Sequence, residues 1–282
     1  MFETYPPKSV VVGIDGSEAA ISAARWAVDE VAGTDTPLRL LYLRELSPTA
    51  TRVEARKALA AAEEVVHDAH AAIEAVGKPV KVEMEIVEGR PVPALVEATH
   101  STPLLCIGNT GSGNGSDAEF GSTAADLVQS AHCSVAVVRG DHNTDLTDSR
   151  WIVAYVDGSP DDDPALEWAF EEAKRRNAPL VLTTAYRSGF DLLQRDRILF
   201  EHDRRMQATL DRYVAVRAPH YPEVHVRTVT AYGTFLTYLA EHANSIQLVI
   251  VGATQACEVR QLLDSTGAPA LRHRDFSLLV AR

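Results

Sequence analysis

Cysteine is scarce: Cys106, Cys133 and Cys257 form an odd count in 282 residues, with no CxxC and no Cys/His zinc spacing. Neither a disulfide framework nor a structural zinc site is written into such a chain, which fits a reducing compartment. Basic charge is also short, since 27 Lys and Arg stand against 39 Asp and Glu for a net charge of −12, and no local basic cluster relieves it. A chain of that sign repels phosphate backbones and anionic bilayers, so neither nucleic acid nor a membrane is an expected partner. Long apolar runs are missing too: none approaches the ~18 residues of a membrane span. The opening MFETYPPKSVVVGIDGS carries no basic leader and no cleavable apolar stretch, and the expectation is a cytoplasmic protein. Glycine meets lysine only at Gly77-Lys78, where Pro79 follows, so there is no P-loop. A serine elbow, a histidine coupled to an acid beside a nucleophile and a basic finger for a leaving phosphate are likewise absent, which argues against an enzyme beyond a weak ATPase.

What is present is an ordinary globular composition, 46% hydrophobic and 23% charged, and a length that suits two domains at about 150 residues each. An internal repeat divides it. Residues 10–28, VVVGIDGSEAAISAARWAV, overlie residues 152–170, IVAYVDGSPDDDPALEWAF, so that Asp15, Gly16, Ser17 and Trp26 fall on Asp157, Gly158, Ser159 and Trp168. The same register puts PLRLLYLRE (37–45) on PLVLTTAYR (179–187); two inserted residues later, LLCIGNTG (104–111) falls on LVIVGATQ (248–255). A repeat that holds over the whole chain is a duplicated domain, with expected bounds 1–145 and 146–282.

Each half alternates short β-branched or Leu-rich runs with longer helical patterns, the signature of an α/β fold in which a parallel sheet is covered on both faces. In the first half the spacing predicts strands near 9–14, 38–43, 80–87, 103–107 and 134–138. It places helices near 18–32 and 50–76, a short one after Gly89 and a last one from Gly121-Ser122-Thr123. Right-handed crossovers make 3-2-1-4-5 the expected strand order of two tandem doubly wound five-stranded domains. Ligands of such sheets bind outside the carboxyl ends of the strands at the switch point between strands 1 and 4. The turn after strand 1 carries Asp15, and the turn after strand 4 begins a glycine-rich stretch at Gly108 and Gly111 that returns to a helix start at Gly121, Ser122 and Thr123. Glycines there remove Cβ atoms where backbone approaches a ligand and permit positive φ. A helix start adds free N–H groups, a dipole and two hydroxyls, all suited to phosphate. Capping serine and threonine in a surface loop are the alternative reading of the same residues.

Gly-x2-Gly-x9-Gly-Ser after strand 4, matched without a gap by Gly108, Gly111, Gly121 and Ser122 and faced by Asp15, resembles the ATP-binding motif of the universal stress protein family. The duplication is similar to that family's tandem, two-domain members. The resemblance implies that Gly108, Gly111, Gly121, Ser122 and Thr123 bind the phosphates, that Asp15 binds the adenosine part, and that backbone near Leu43 meets the adenine. It implies ATP as ligand. Because no Lys or Arg occurs from 108 to 123 while Asp117 and Glu119 do, Mg²⁺ is expected with the nucleotide. Three functions stay open: an ATP-binding regulatory protein of the stress response, a slow Mg²⁺-dependent ATPase on the same cradle, and a scaffold that has lost nucleotide.

The second half keeps Gly252 but has Gln255 for the second glycine and Ser265-Thr266-Gly267 where Gly-Ser-Thr stands in the first, so it is expected to keep the fold and lose the ligand. Other candidates carry plainer expectations. Asp15 and Asp157 also suit N-capping of the helix that follows. Asp161, Asp162 and Asp163 suit a helix N-terminus rather than a calcium loop, and His67 with His70, a turn apart but lacking a third ligand, suits a solvated face. Trp26 and Trp168 read as packing anchors, and Cys106 as a small core residue. The apolar last strands, SVAVVRG and SLLVAR, are expected at sheet edges that find a partner strand, either by pairing of the two units or in a homodimer.

Overall fold

A run such as Val10-Val-Val-Gly-Ile14 has no polar alternation, which only a strand covered on both faces tolerates. The computed structural model describes residues 8–45, 49–111, 121–140, 149–159, 162–186, 195–255 and 275–282, and in it this run is β1 (Val10–Ile14) at the sheet centre. β1 pairs in parallel with β2 (Leu38–Arg44), in register from Val10↔Leu38 to Ile14↔Tyr42, and with β4 (Leu104–Gly108) through Val11↔Leu105 and Val12↔Cys106. β3 (Val82–Glu88) lies beyond β2, and β5 (Ser134–Val138) beyond β4. The order of this unit is β3-β2-β1-β4-β5. Buriedness falls with distance from the centre on the β3 side: β4 is almost wholly buried, whereas β3 exposes Glu83, Met84 and Glu85.

The helices form where their capping and periodicity lead. Ser17 caps α1 (Glu18–Val31), which puts Ala20, Ala23, Ala24, Ala27 and Val31 together with a fully buried Trp26 on the sheet. α2 (Arg52–Glu74) opens with a capping box between Thr51 and Glu54, and its buried residues Ala62, Val66, Ala69 and Ile73 make one narrow stripe at helical spacing. Pro91 starts α3 (Pro91–Ala98), and Gly121 precedes α4 (Ser122–Ser130). α1 packs against α2, and α3 against α4. Burying an indole such as that of Trp26 removes roughly 150–250 Å² from water, a stabilisation of about 4–6 kcal/mol before conformational entropy is counted.

The chain separates into two compact units, Met1–Thr144 and Asp145–Arg282. Taken by itself, the second repeats the first. Its parallel strands β6 (Trp151–Tyr155), β7 (Leu180–Tyr186), β8 (Val226–Tyr232), β9 (Ile246–Gly252) and β10 (Ser277–Ala281) run in the order β8-β7-β6-β9-β10. Among the described residues its α-helices are α5 (Asp162–Arg176), α6 (Arg195–Arg217) and α7 (Phe235–His242). The α/β class with tandem parallel-sheet domains therefore holds. Element ends differ from the expectation by one to two residues: β3 starts at Val82 and α2 ends at Glu74, the drift that fraying ends produce.

Candidate functional site

The carboxyl ends of β1, β2 and β4 in the first unit bring Asp15, Leu43, Gly108 and Gly111 to one end of the sheet. Asp15 follows β1, and its Oδ1 accepts hydrogen bonds from the backbone N–H of Ser17 at 3.0 Å and from the Ser17 hydroxyl at 2.6 Å. Ser17, not Asp15, caps α1: its Oγ accepts from the Ala20 N–H at 3.1 Å and lies 3.3 Å from the Thr110 carbonyl. Asp15 thus orients the cap and is not itself the cap. A Cβ built on Gly111 would stand 3.0 Å from Asp15 Oδ2, so Gly111 lies directly against the second carboxylate oxygen.

The two ends of the glycine-rich stretch are tied together. The Asn109 N–H donates to the Val138 carbonyl at 2.9 Å, and the Gly121 N–H donates to the Asn109 carbonyl at 2.7 Å. Residues 112–120, including Asp117 and Glu119, and the overlapping Gly113-x-Gly115-x-x-Ala118 pattern, lie outside the described residues. α4 starts at this tie. Its first helical bonds run from the Ala124 and Ala125 N–H groups to the Gly121 carbonyl, so the N–H groups of Ser122 and Thr123 come ahead of the ladder, beside side chains that are exposed. Such a helix start attracts an anion through its N–H groups and dipole together. Leu43 is one residue beyond Tyr42, the last β2 residue paired with β1, while the β2–β3 ladder continues through Leu43↔Val87 to Arg44↔Glu88. Its edge toward β1 has no strand partner among the described residues and is level with Asp15.

Gly108 also has a packing neighbour. A Cβ there would meet the Ala19 carbonyl carbon at 2.6 Å and the Ala19 Cβ at 2.8 Å; the residue is glycine because the first turn of α1 crosses it. None of Gly108, Gly111 and Gly121 has a positive φ, so their freedom of backbone angle is not in use. Gly16 does use it, at φ 85°, where Val65 of α2 packs over the turn. Asn109 is a residue the sequence reading passed over. It is buried and its carbonyl closes the loop, yet its only signal was its place between Gly108 and Thr110.

The second unit arranges the same corner differently. Asp157 accepts the Ser159 N–H at 2.9 Å, as Asp15 does from Ser17. Like Asp15, Asp157 thus accepts within the turn that precedes its helix, here α5 (Asp162–Arg176). The buried Asp162 carboxylate accepts from the N–H of Asp157 at 3.2 Å, the N–H of Gly158 at 2.7 Å and the Tyr213 hydroxyl at 3.0 Å. Loss of hydration pushes its pKa above the ordinary 3.8, and the hydrogen bonds only partly offset this. Gln255 is buried, and its Oε1 accepts from the Gly252 N–H at 2.7 Å. Ser265, Thr266, Gly267, Asp161 and Cys257 lie outside the described residues.

The remaining candidates are plain. His67 is exposed and bonds the Glu63 carbonyl, and no group of three or more His, Cys, Asp or Glu among the described residues could hold a metal ion. Trp26 and Cys106 are core residues, and Trp168 is half-buried.

The sequence model of the universal stress protein family matches residues 7–139 and again residues 149–282. Universal stress protein Rv2028c of Mycobacterium tuberculosis is 39% identical over 282 residues, covering 99% of this chain and 98% of the relative. Universal stress protein Rv2624c of the same organism is 36% identical over 276 residues, with 98% and 96% covered. Among solved structures, a universal stress protein from Archaeoglobus fulgidus superposes with a TM-score of 0.67 at 19% identity over 97% of this chain and 96% of its own, a likeness of fold.

Proposed function

The chain belongs to the universal stress protein family, and from that premise we propose that its first unit is an ATP-binding regulatory module of the stress response. The observation that carries the reading is the convergence of Asp15, Gly111, Gly121 and the start of α4 on one crevice at the carboxyl ends of β1 and β4. Gly111, Gly121 and the N–H groups of Ser122 and Thr123 would line the phosphates, with both hydroxyls in reach. Asp15 would hold the ribose, and the unpaired edge of Leu43 would meet the adenine. Gly108 would join Gly111 along the phosphates, and it also lets α1 pack close to β4. With no Lys or Arg from 108 to 123, the residues fit a nucleotide that brings its own Mg²⁺, which supplies the positive charge the loop does not. No helix among the described residues is long and apolar enough to cross a membrane, and a cytoplasmic setting completes the reading.

The test is a mass spectrum of gently extracted full-length protein, searched for copurified adenine nucleotide, followed by equilibrium dialysis with labelled Mg-ATP. Saturable binding that Gly111→Gln abolishes supports the reading. Binding that ignores Gly111→Gln, or no binding at millimolar ATP, overturns it.

A further inference from the structure

In the second unit, side chains of the same unit meet, at three points, the counterparts of positions that the reading of the first unit assigns to nucleotide. The first is at the strand-2 end. Gly13 of β1 has as its counterpart Tyr155 of β6, and Leu43 has Ala185. The Tyr155 ring is buried against Phe235 of α7, with centroids 4.6 Å apart, and its hydroxyl reaches the Ala185 carbonyl at 3.5 Å. A polar-tipped aromatic ring thus approaches the backbone position that, in the first unit, is read as meeting adenine.

The second point is the turn after β6. The Asp157 and Gly158 N–H groups are consumed by the Asp162 carboxylate, itself held by Tyr213. The counterpart of Asp162 in the first unit is Ala20, which has no side-chain acceptor. The third point is the strand-4 end, where Gln255 replaces Gly111. Its amide oxygen takes the Gly252 N–H, and its Nε2 is buried without a hydrogen-bond partner among the described residues. An amide oxygen accepting a backbone N–H at that corner is what a phosphate oxygen would do there.

We propose that the second unit carries its own occupant: Tyr155 and Gln255 fill the nucleoside and phosphate ends of its crevice, closing it to nucleotide while supplying ligand-like contacts. This rests on the crevice reading of the first unit, and the two can fail separately. Phosphate is further opposed by the buried Asp162 carboxylate at the turn. The second unit is then a fixed module, and only the first responds to ATP.

The experiment counts nucleotides bound per full-length chain by equilibrium dialysis with labelled Mg-ATP. Wild type is expected to bind one. The variant Tyr155→Gly with Gln255→Gly, which installs the first unit's residues, is expected to bind two, with folding checked by circular dichroism melting. A wild type that binds two, or a folded variant with the same count as wild type, overturns the proposal. A wild type that binds none beside a variant that binds one sustains this proposal and removes the reading of the first unit. Should the double variant not fold, Gln255→Gly alone is expected to add a second, weaker site, and an unchanged count overturns the proposal.

Discussion

At the scale of single residues, two glycines that look equivalent in the sequence meet different neighbours. Gly108 answers to Ala19, whose carbonyl carbon a Cβ would approach to 2.6 Å. Since the obstacle is helix backbone and not a movable side-chain tip, Gly108→Ala is expected to destabilise the first unit by about 1–3 kcal/mol, as overpacking does. Gly111 answers to Asp15 Oδ2 at 3.0 Å, a contact a carboxylate relieves by a small rotation. Gly111→Ala should therefore weaken Mg-ATP binding and leave stability within about 0.5 kcal/mol, the usual range for a surface substitution. Urea denaturation and Mg-ATP titration on both variants separate the two effects; a Gly108→Ala protein as stable as wild type would show that the overlap with Ala19 is not what fixes the residue. Ser122→Ala should weaken binding several-fold, the loss of one hydrogen bond worth on the order of 1 kcal/mol, and chelating Mg²⁺ should weaken binding in wild type and variant alike. The spacing of the glycines was legible without the fold. What each one touches was not, because Ala19 lies 89 positions from Gly108 in the chain, and no local pattern reveals a neighbour that only the sheet brings close.

Among elements, the turn from β6 to α5 shows how one acidic residue can be read correctly for position and incompletely for role. Asp162 does sit at a helix N-terminus, as its place before Pro164 implied. Its carboxylate, however, serves the turn behind it and the hydroxyl of Tyr213 on α6. The Tyr213 partner is 51 residues away, beyond any helical periodicity. Burial raises the Asp162 pKa above 3.8. The native state therefore keeps this proton over a pH range in which the unfolded chain has released it, and the stability of the second unit falls as pH rises from about 3.8 through the native value. Tyr213→Phe removes a donor to the charged form. It is expected to move the Asp162 titration further up and to cost about 1.5–3 kcal/mol at neutral pH, the range for hydrogen bonds to charged groups. Carboxyl-carbon NMR titration of the full chain, with urea denaturation across pH, reads both; an Asp162 that titrates at or below 3.8 would contradict the balance of burial over hydrogen bonding.

Across the whole molecule, one domain plan has been written twice and finished in two ways. The plan was visible in the repeat, because strand and helix order depend on local periodicity, which survives duplication. The asymmetry was visible at Gln255 and at Ser265-Thr266-Gly267, which stand where the first unit has Gly111 and Gly121-Ser122-Thr123. The parts played by Tyr155 and Asp162 were hidden, since β6 reads as one more apolar strand until Phe235 and Ala185 are placed beside it. This difference has a consequence that can be read in the intact chain. A ligand that binds the folded form suppresses local opening in proportion to its excess over Kd, by about 2.7 kcal/mol at a hundredfold excess. Amide hydrogens that exchange through such openings slow by up to the corresponding factor of roughly one hundred. Saturating Mg-ATP is therefore expected to slow hydrogen exchange in peptides covering residues 104–111 and 121–130 of the first unit. Peptides covering 246–255 of the second, where the Gly252 N–H already has the Gln255 amide oxygen as its acceptor, should exchange at the same rate with and without nucleotide. Mass spectrometry after timed deuterium labelling resolves the two regions in one sample. Equal protection in both would mean that the second crevice admits nucleotide despite its side chains, and protection confined to 246–255 would reverse the assignment of the two units.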